Sequence, residues 1–426
     1  MPFLYDLLLA FALLLASPYL LPKILLGRHG LAERLGIHPA GSSYRREEQG
    51  PSIWIHAASV GEVNSLAAFF PDLSVLLPRH RFFLSVTTRA GKERAANLDQ
   101  RLEKIFYLPI DLSFAVRRVL KRVRPQVLVL TETELWPNLI LRARQQGTQV
   151  MLVNGRMSSR SLSRYRAFQK TMGRIMNAID LFCVQTEQDA RRFLSLGAPS
   201  ERLQVTGNFK GDLLMISGLR GRRGSVRQQL GIAPQEHVLV AGSTRPGEEE
   251  ILLEALKALR EKNRSVRTIV APRHVHRAGR VSRLLQAGGL TVERLSQLNS
   301  SANRSWDVLV VDNLGQLLRL YAAADVAFVG GSLLPFGGHN PLEPASYGLP
   351  VLFGPHMEHC LQSARLLLDS DGGLQVTNEE DLQDHIKRLL QDGDERNRRG
   401  TSALQAVQKS LGASRRTAEA LKGAMT

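Results

Sequence analysis

From Pro51 onward the chain alternates short apolar, β-rich runs with longer segments of helical periodicity. In the first half the runs at 52–57, 82–87, 104–108, 127–131, 150–154 and 181–185 read as strands, with helical stretches such as 114–122 and 135–146 between them. Strands that alternate with helices need crossover connections, so the sheet they form is parallel and covered on both faces. A break follows Lys210. Residues 211–231 hold several glycines and a basic cluster of Arg220, Arg222, Arg223 and Arg227, and read as a linker. The alternation then restarts with runs at 237–241, 268–271, 308–311, 325–329 and 350–353, and helices at 379–390 and 401–422 close the chain. The expected fold class is α/β, with two Rossmann-like doubly wound domains, 23–210 and 232–426, facing a cleft. Ligands of such sheets sit at the carboxyl ends of the strands. Neither GxGxxG nor GxxxxGK[ST] occurs, so dinucleotide and P-loop readings find no support.

Residues 1–22 differ from the rest. The stretch 3–21 is almost wholly apolar, interrupted by Asp6, Ser17 and Pro18. It has no basic residue before the apolar core and no clear cleavage site after it, so a cleaved signal peptide is not expected. Its length is about the minimum for a span. Lys23, Arg28 and Arg34 follow, and positive charge there keeps the remaining chain in the cytoplasm. A membrane anchor, spanning or shallow, is expected; a buried core helix is the alternative.

The formal net charge of +17 calls for an anionic partner: nucleic acid, an anionic membrane surface or phosphorylated substrates. The basic residues are spread along the chain and only 6% of residues are aromatic, which argues against nucleic acid, since single strands want stacking platforms. Cys183 and Cys360 lack metal-ligand spacing and read as reduced, buried thiols in a cytosolic body.

Nearly every segment able to carry chemistry falls at the end of an expected strand. HAASVGE (56–62) ends the first strand, and Ser59-x-x-Glu62 reads first as a capping box, with Glu62 as a general base the alternative. TETELWPN (131–138) holds two acidic residues. Thr131 and Glu134 fit a cap, which leaves Glu132 as the functional candidate. NGRMS (154–158) puts the Arg156 guanidinium at a strand end, and GNFK (207–210) puts Lys210 where it meets an anion or is merely solvated. In the second half, Gly242 to Glu248 and APRH (271–274) end strands, and Asp312 to Gln316 offers a glycine turn. GGHNPLEPA (337–345) follows an apolar strand. Its glycines permit close ligand approach, Pro341 opens a helix whose N-terminus suits a phosphate, and Glu343 suits a ribose. A plain glycine turn with a dipole-complementing acid is the other reading. His274 and His276, like His356 and His359, lack a third ligand at metal spacing, so no metal is assigned.

In this order, the six motifs resemble the 3-deoxy-D-manno-oct-2-ulosonic acid (Kdo) transferase family, over nearly the whole chain. The resemblance implies a GT-B glycosyltransferase at the cytoplasmic face of the inner membrane, without a cofactor. It implies transfer of Kdo from CMP-Kdo to the lipid A precursor, lipid IVA, in lipopolysaccharide synthesis. Glu62 would be the base, and Glu132 and Lys210 would stabilise the transition state. Pro272, Arg273, Leu314, Gly315, Gln316, Asn340, Pro341, Leu342 and Glu343 would hold CMP. Family members often carry Gly-Glu where this chain has Gly315 and Gln316. The expected reaction is an inverting direct displacement without a metal. A GT-B enzyme using a UDP-sugar and a non-catalytic membrane scaffold are the competing readings.

Overall fold

The computed structural model describes residues 5–7, 9–15, 30–37, 50–216, 223–261, 266–298 and 305–425. It divides into two compact units, one of Met1–Leu213 with Ser410–Thr426 and one of Leu214–Lys409.

The first unit is built on a seven-stranded sheet in the order β3-β2-β1-β4-β5-β6-β7. Its strands are β1 (Ser52–His56), β2 (Arg81–Val86), β3 (Leu102–Tyr107), β4 (Val127–Thr131), β5 (Gln149–Gly155), β6 (Leu181–Val184) and β7 (Leu203–Val205), all paired in parallel. Successive side chains on a strand point to opposite faces, so each strand feeds two cores. Trp54, Phe83, Leu128 and Leu130 enter one core; Ile53, Ile55, Leu84, Val127 and Val129 enter the other. Both faces are apolar, which is why these runs lack polar alternation.

The second unit repeats the plan, with the strand order β10-β11-β9-β8-β12-β13-β14. Here β8 is His237–Thr244, β9 Val266–Pro272, β10 Val292–Arg294, β11 Val308–Val310, β12 Val326–Val329, β13 Val351–Phe353 and β14 Gly373–Gln375. The chain crosses from one half of each sheet to the other between β1 and β4 and between β8 and β12, and in the second sheet β11 also turns back to lie between β10 and β9. Such switch points open a crevice at the carboxyl edge of a doubly wound sheet.

Two expectations need correction. First, residues 211–231 are not a plain linker. Helices Phe209–Ile216 and Arg223–Leu230 occupy most of the segment, while 217–222, with Arg220 and Arg222, lie outside the described residues. Arg227 is buried, because its guanidinium meets Asp325 at 2.6 Å and the Ala323 carbonyl at 2.9 Å.

Second, the stretch 401–422 is two helices, Gly393–Lys409 and Ala413–Met425, broken where Gly412 takes φ +81°. The second of these belongs to the first unit, so the 232–426 boundary is wrong at its end. Asp212 accepts hydrogen bonds from the Gly412 and Ser414 amides at 2.6 and 2.7 Å. Ala413, Ala418 and Leu421 are buried in the core with Phe69 and Phe209. A polar anchor and an apolar face together outweigh continuity of the helix.

The expected membrane anchor is not supported as a span: no helix among the described residues is long and apolar enough to cross a membrane. Within the expected anchor, residues 5–7 and 9–15 are helical, and 1–4, 8 and 16–22 lie outside the described residues.

Candidate active site

In the first unit the ends of β1, β4 and β5 converge on one crevice edge. Ser59 caps the Val60–Leu76 helix, its hydroxyl oxygen accepting from the Glu62 amide at 3.3 Å. The capping box therefore exists. Yet the Glu62 carboxylate does more than cap. Its Oε2 accepts from the Ala58 amide at 2.9 Å and lies 2.8 Å from the Thr131 hydroxyl, while the Ser59 hydroxyl meets Oε1 at 2.9 Å. The side chain is held between the ends of β1 and β4, and the residue is only 8% exposed. A carboxylate fixed by several donors is pre-organised, as a general base must be.

The expected cap of Thr131 and Glu134 does not form. The Thr131 hydroxyl faces Glu62 and the His56 carbonyl, and Glu134 accepts from the Trp136 indole at 2.8 Å. The following helix starts at Pro137, not at Leu135. Glu132 has φ +52°, a conformation that ordinary side chains rarely adopt. Asn154 at φ +52° and Ser243 at φ +59° share this property, and all three sit at carboxyl ends of strands. Such strain gathers at functional sites. Glu132 Oε2 lies 2.7 Å from the Arg156 Nε. Burial pushes its carboxyl above the usual range, Glu62 adds to the rise, and Arg156 and Lys210 oppose it. Glu62, Glu132, Arg156 and Lys210 thus form one electrostatic group in the first unit.

Lys210 is exposed at the start of the Phe209–Ile216 helix. Its position is fixed through neighbours. Asn208 Oδ1 accepts from the Lys210 amide at 2.9 Å, and Asn154 Oδ1 accepts from the Phe209 amide at 3.3 Å. NGRMS and GNFK are therefore joined by the Asn154 side chain, which accepts from the Phe209 backbone.

In the second unit, Pro272 and Arg273 follow the body of β9, the turn of Leu314, Gly315 and Gln316 follows β11, and Asn340 to Glu343 follow β12. With β8 these strands are neighbours in the sheet, so the three segments line one edge. Arg273 is exposed, and its amide donates to the Thr244 carbonyl at 3.0 Å. Leu314 is 81% exposed and Gly315 has φ +78°. Gln316 lines a cavity of about 270 Å³ with Asn313 and Arg319.

The glycine-rich segments are built differently from expectation. A Cβ on Gly337 would collide with the His359 ring and one on Gly338 with the Met357 sulfur, so the close approach at these glycines is to this chain's own side chains. Pro341 does precede a helix, but Leu342–Ala345 is a single turn, and Asn340 Oδ1 already accepts from the Leu342 amide at 3.2 Å. Its end offers less to an anion than a long helix would.

Three residues went unassigned in the sequence. Glu248 is buried and takes four backbone amides, those of Arg245, Gly331, Ser332 and Leu333, at 2.6–3.0 Å. It shapes the loop after β12. Arg245 reaches His274 at 2.8 Å and lies over the Phe336 ring. His339 is held neutral: burial, then the charges of Arg273 and Arg245, lower its pKa to about 4. Glu248 opens its own helix and has no capping residue three positions earlier, so no local pattern marks it, and its loop partners lie more than 80 residues away. Among the described residues no three His, Cys, Asp or Glu side chains converge as a metal site would require.

The family model described as 3-deoxy-D-manno-octulosonic-acid transferase (kdotransferase) matches residues 29–213. The 3-deoxy-D-manno-octulosonic acid transferase of Haemophilus influenzae is 34% identical over 93% of this chain and 91% of its own length. A bifunctional glycosyltransferase/methyltransferase of Fusobacterium nucleatum is 35% identical over 90% of this chain, which spans only 58% of that longer protein. Among solved structures, a glycosyltransferase from Rickettsia africae superposes with a TM-score of 0.60 at 11% identity, covering 88% of this chain and 98% of its own. That likeness concerns the fold alone, two parallel-sheet α/β domains of the GT-B kind. With the two carboxylates at the first switch point and an enzyme of the same length so similar throughout, the chain belongs to the Kdo transferase family of glycosyltransferases.

Proposed function

We propose that this Kdo transferase moves Kdo from CMP-Kdo to lipid IVA at the cytoplasmic face of the inner membrane, inverting the anomeric centre in one displacement. Glu62 takes the proton of the acceptor hydroxyl. The observation that carries this reading is the fixed Glu62 carboxylate beside Glu132 and Lys210 at the switch point of the first sheet. As the acceptor oxygen bonds to the anomeric carbon, the bond to the CMP phosphate breaks and CMP leaves with the electron pair. Lys210, with Glu132 held beside it, stabilises charge in the transition state by fixed electrostatics. Pro272, Arg273, the turn of Leu314, Gly315 and Gln316, and Asn340, Pro341, Leu342 and Glu343 bind CMP in the second unit. No metal is required, because only one phosphate departs. The N-terminal apolar segment and the net charge of +17 suit an anionic membrane surface.

The test is to incubate the detergent-purified chain with freshly made CMP-Kdo, lipid IVA and a chelator, and to follow the lipid by mass spectrometry. A mass gain of one or more Kdo units is expected, lost in a folded Glu62→Gln protein. A folded wild type that transfers nothing, or that binds UDP better than CMP, overturns the proposal.

A further inference from the structure

The apolar N-terminal helix carries one residue out of keeping with its surroundings, Asp6, and the structure gives it a purpose. Asp6 Oδ1 accepts from the Ser113 amide at 3.0 Å and from the Asn138 side-chain amide at 2.7 Å. Ser113 opens the Ser113–Val123 helix, and Asn138 is the second residue of the Pro137–Gln145 helix. Asp111 caps that second helix, accepting from the Asn138 and Leu139 amides at 3.0 and 2.8 Å, and is hydrogen-bonded to Tyr5. Two N-terminal residues thus enter a buried polar cluster at two helix starts, where unpaired amides favour carboxylates.

The place of that cluster matters. In a parallel sheet, helices that follow strands begin at the carboxyl edge. Ser113 follows β3 and Asn138 follows β4, so the N-terminal helix sits on the edge that carries Glu62 and Glu132. One motif, TETELWPN, holds Glu132 near one end and the Asp6-bound Asn138 at the other.

The rest of the helix faces outward. Leu7, Phe11, Leu14 and Leu15 are 56–68% exposed, and their spacing of four, three and one residues forms a single stripe. Asp6, Leu9 and Leu13, on the other side, are less exposed. The Ser113–Val123 helix, pinned by its first residue to Asp6, exposes Phe114, Arg117, Arg118 and Lys121. An apolar stripe beside cations with apolar stems matches a lipid leaflet with anionic headgroups.

We infer that Asp6 is a positioning residue: it fixes the N-terminal helix on the catalytic edge of the first sheet, so that the Leu7, Phe11, Leu14 and Leu15 stripe enters a lipid leaflet with Glu62 held at the membrane surface. The inference rests on the proposed lipid acceptor. It makes the helix part of the catalytic architecture instead of a remote tether.

Three arms test it, all on the full chain. First, flotation with phosphatidylethanolamine–phosphatidylglycerol vesicles reads the stripe. The combined Leu7→Gln, Phe11→Gln and Leu14→Gln variant should lose binding by about tenfold or more, and unchanged flotation overturns the inference. Second, transfer is compared between lipid IVA in vesicles and its fully deacylated, water-soluble form. Asp6→Ala should still float and still modify the soluble acceptor, but lose about tenfold on the embedded one. Asp6→Asn, which keeps an accepting oxygen, should restore most of it. Equal losses on both acceptors would make Asp6 merely structural and overturn the inference. Third, amide exchange over residues 9–15 should quicken in Asp6→Ala; unchanged exchange overturns the pin. A wild type that floats but modifies neither acceptor would defeat the acceptor reading alone, because flotation and exchange report on the helix without it.

Discussion

The Thr131 hydroxyl lies 2.8 Å from the Glu62 carboxylate and 2.9 Å from the His56 carbonyl, so one side chain on β4 meets both ends of the segment that delivers the base. Thr131→Val keeps the shape and removes the donor. It should lower kcat about tenfold with KM little changed, at a stability cost of about 1 kcal/mol. Steady-state kinetics beside a denaturant titration check this; an unchanged kcat would mean that Ala58 and Ser59 suffice to hold Glu62.

Arg156 lies 2.7 Å from Glu132 and opposes the upward push of burial on that carboxyl. Removing it as Arg156→Ala should raise the Glu132 pKa further. The acid limb of the kcat/KM profile then moves to higher pH, while the plateau falls less than in Glu132→Gln. A limb that stays in place would show that Glu132 does not govern the profile.

Glu248 is a matter of stability. Four amides end on its carboxylate, and Glu248→Ala leaves them without that acceptor inside the fold. The cost should be roughly 3–5 kcal/mol, among the larger single-site effects. Urea denaturation of the variant measures it, and a loss near zero would mean that water replaces the side chain.

His339 gives a pH dependence with a definite sign. Its folded pKa of about 4 lies below the ordinary 6.5, so the unfolded chain binds the extra proton first. Stability from this residue is complete above about 6.5 and is lost as the pH falls towards 4. His339→Gln should flatten the stability profile in that window, read as the urea midpoint at pH 4.5 against pH 7.

Asp111 works the other way. Burial raises its carboxyl to about 7, against the pull of two backbone amides and Tyr5, and Asp6 adds to the rise. A raised carboxyl contributes stability below its unfolded value, about 4, and loses it as the pH climbs through 7. Protection factors over residues 9–15, with the base-catalysed intrinsic rate divided out, should therefore be lower at pH 8 than at pH 6. Tyr5, Asp6 and Arg142, which reaches the Ser113 hydroxyl, are the other charged or titratable groups about the cluster.

The core strands of both sheets were readable because doubly covered parallel strands are continuous apolar runs. The strands β7, β10 and β14 were not. Each has three residues and stands at a sheet edge, and much of each is half-buried or exposed, so no long apolar run marks them. Of the site, Glu62 was ambiguous between base and cap because its spacing supports both, and the structure gives it the cap plus Thr131. Glu132 stood out by lacking a structural use, and its left-handed backbone agrees. The roles of Asp6, Glu248 and the last helix depend on partners between about 80 and 200 residues away in sequence, and no local pattern encodes those.

The last helix also bears on how the protein is made. Ser414 meets Asp212 across 202 residues of chain, and Leu421 completes a core begun by Ile53. The first unit therefore cannot close its own hydrophobic face while it is being synthesised. It must wait, partly open, until the whole second unit has been translated, and during that interval its uncovered face is a target for chaperones and proteases.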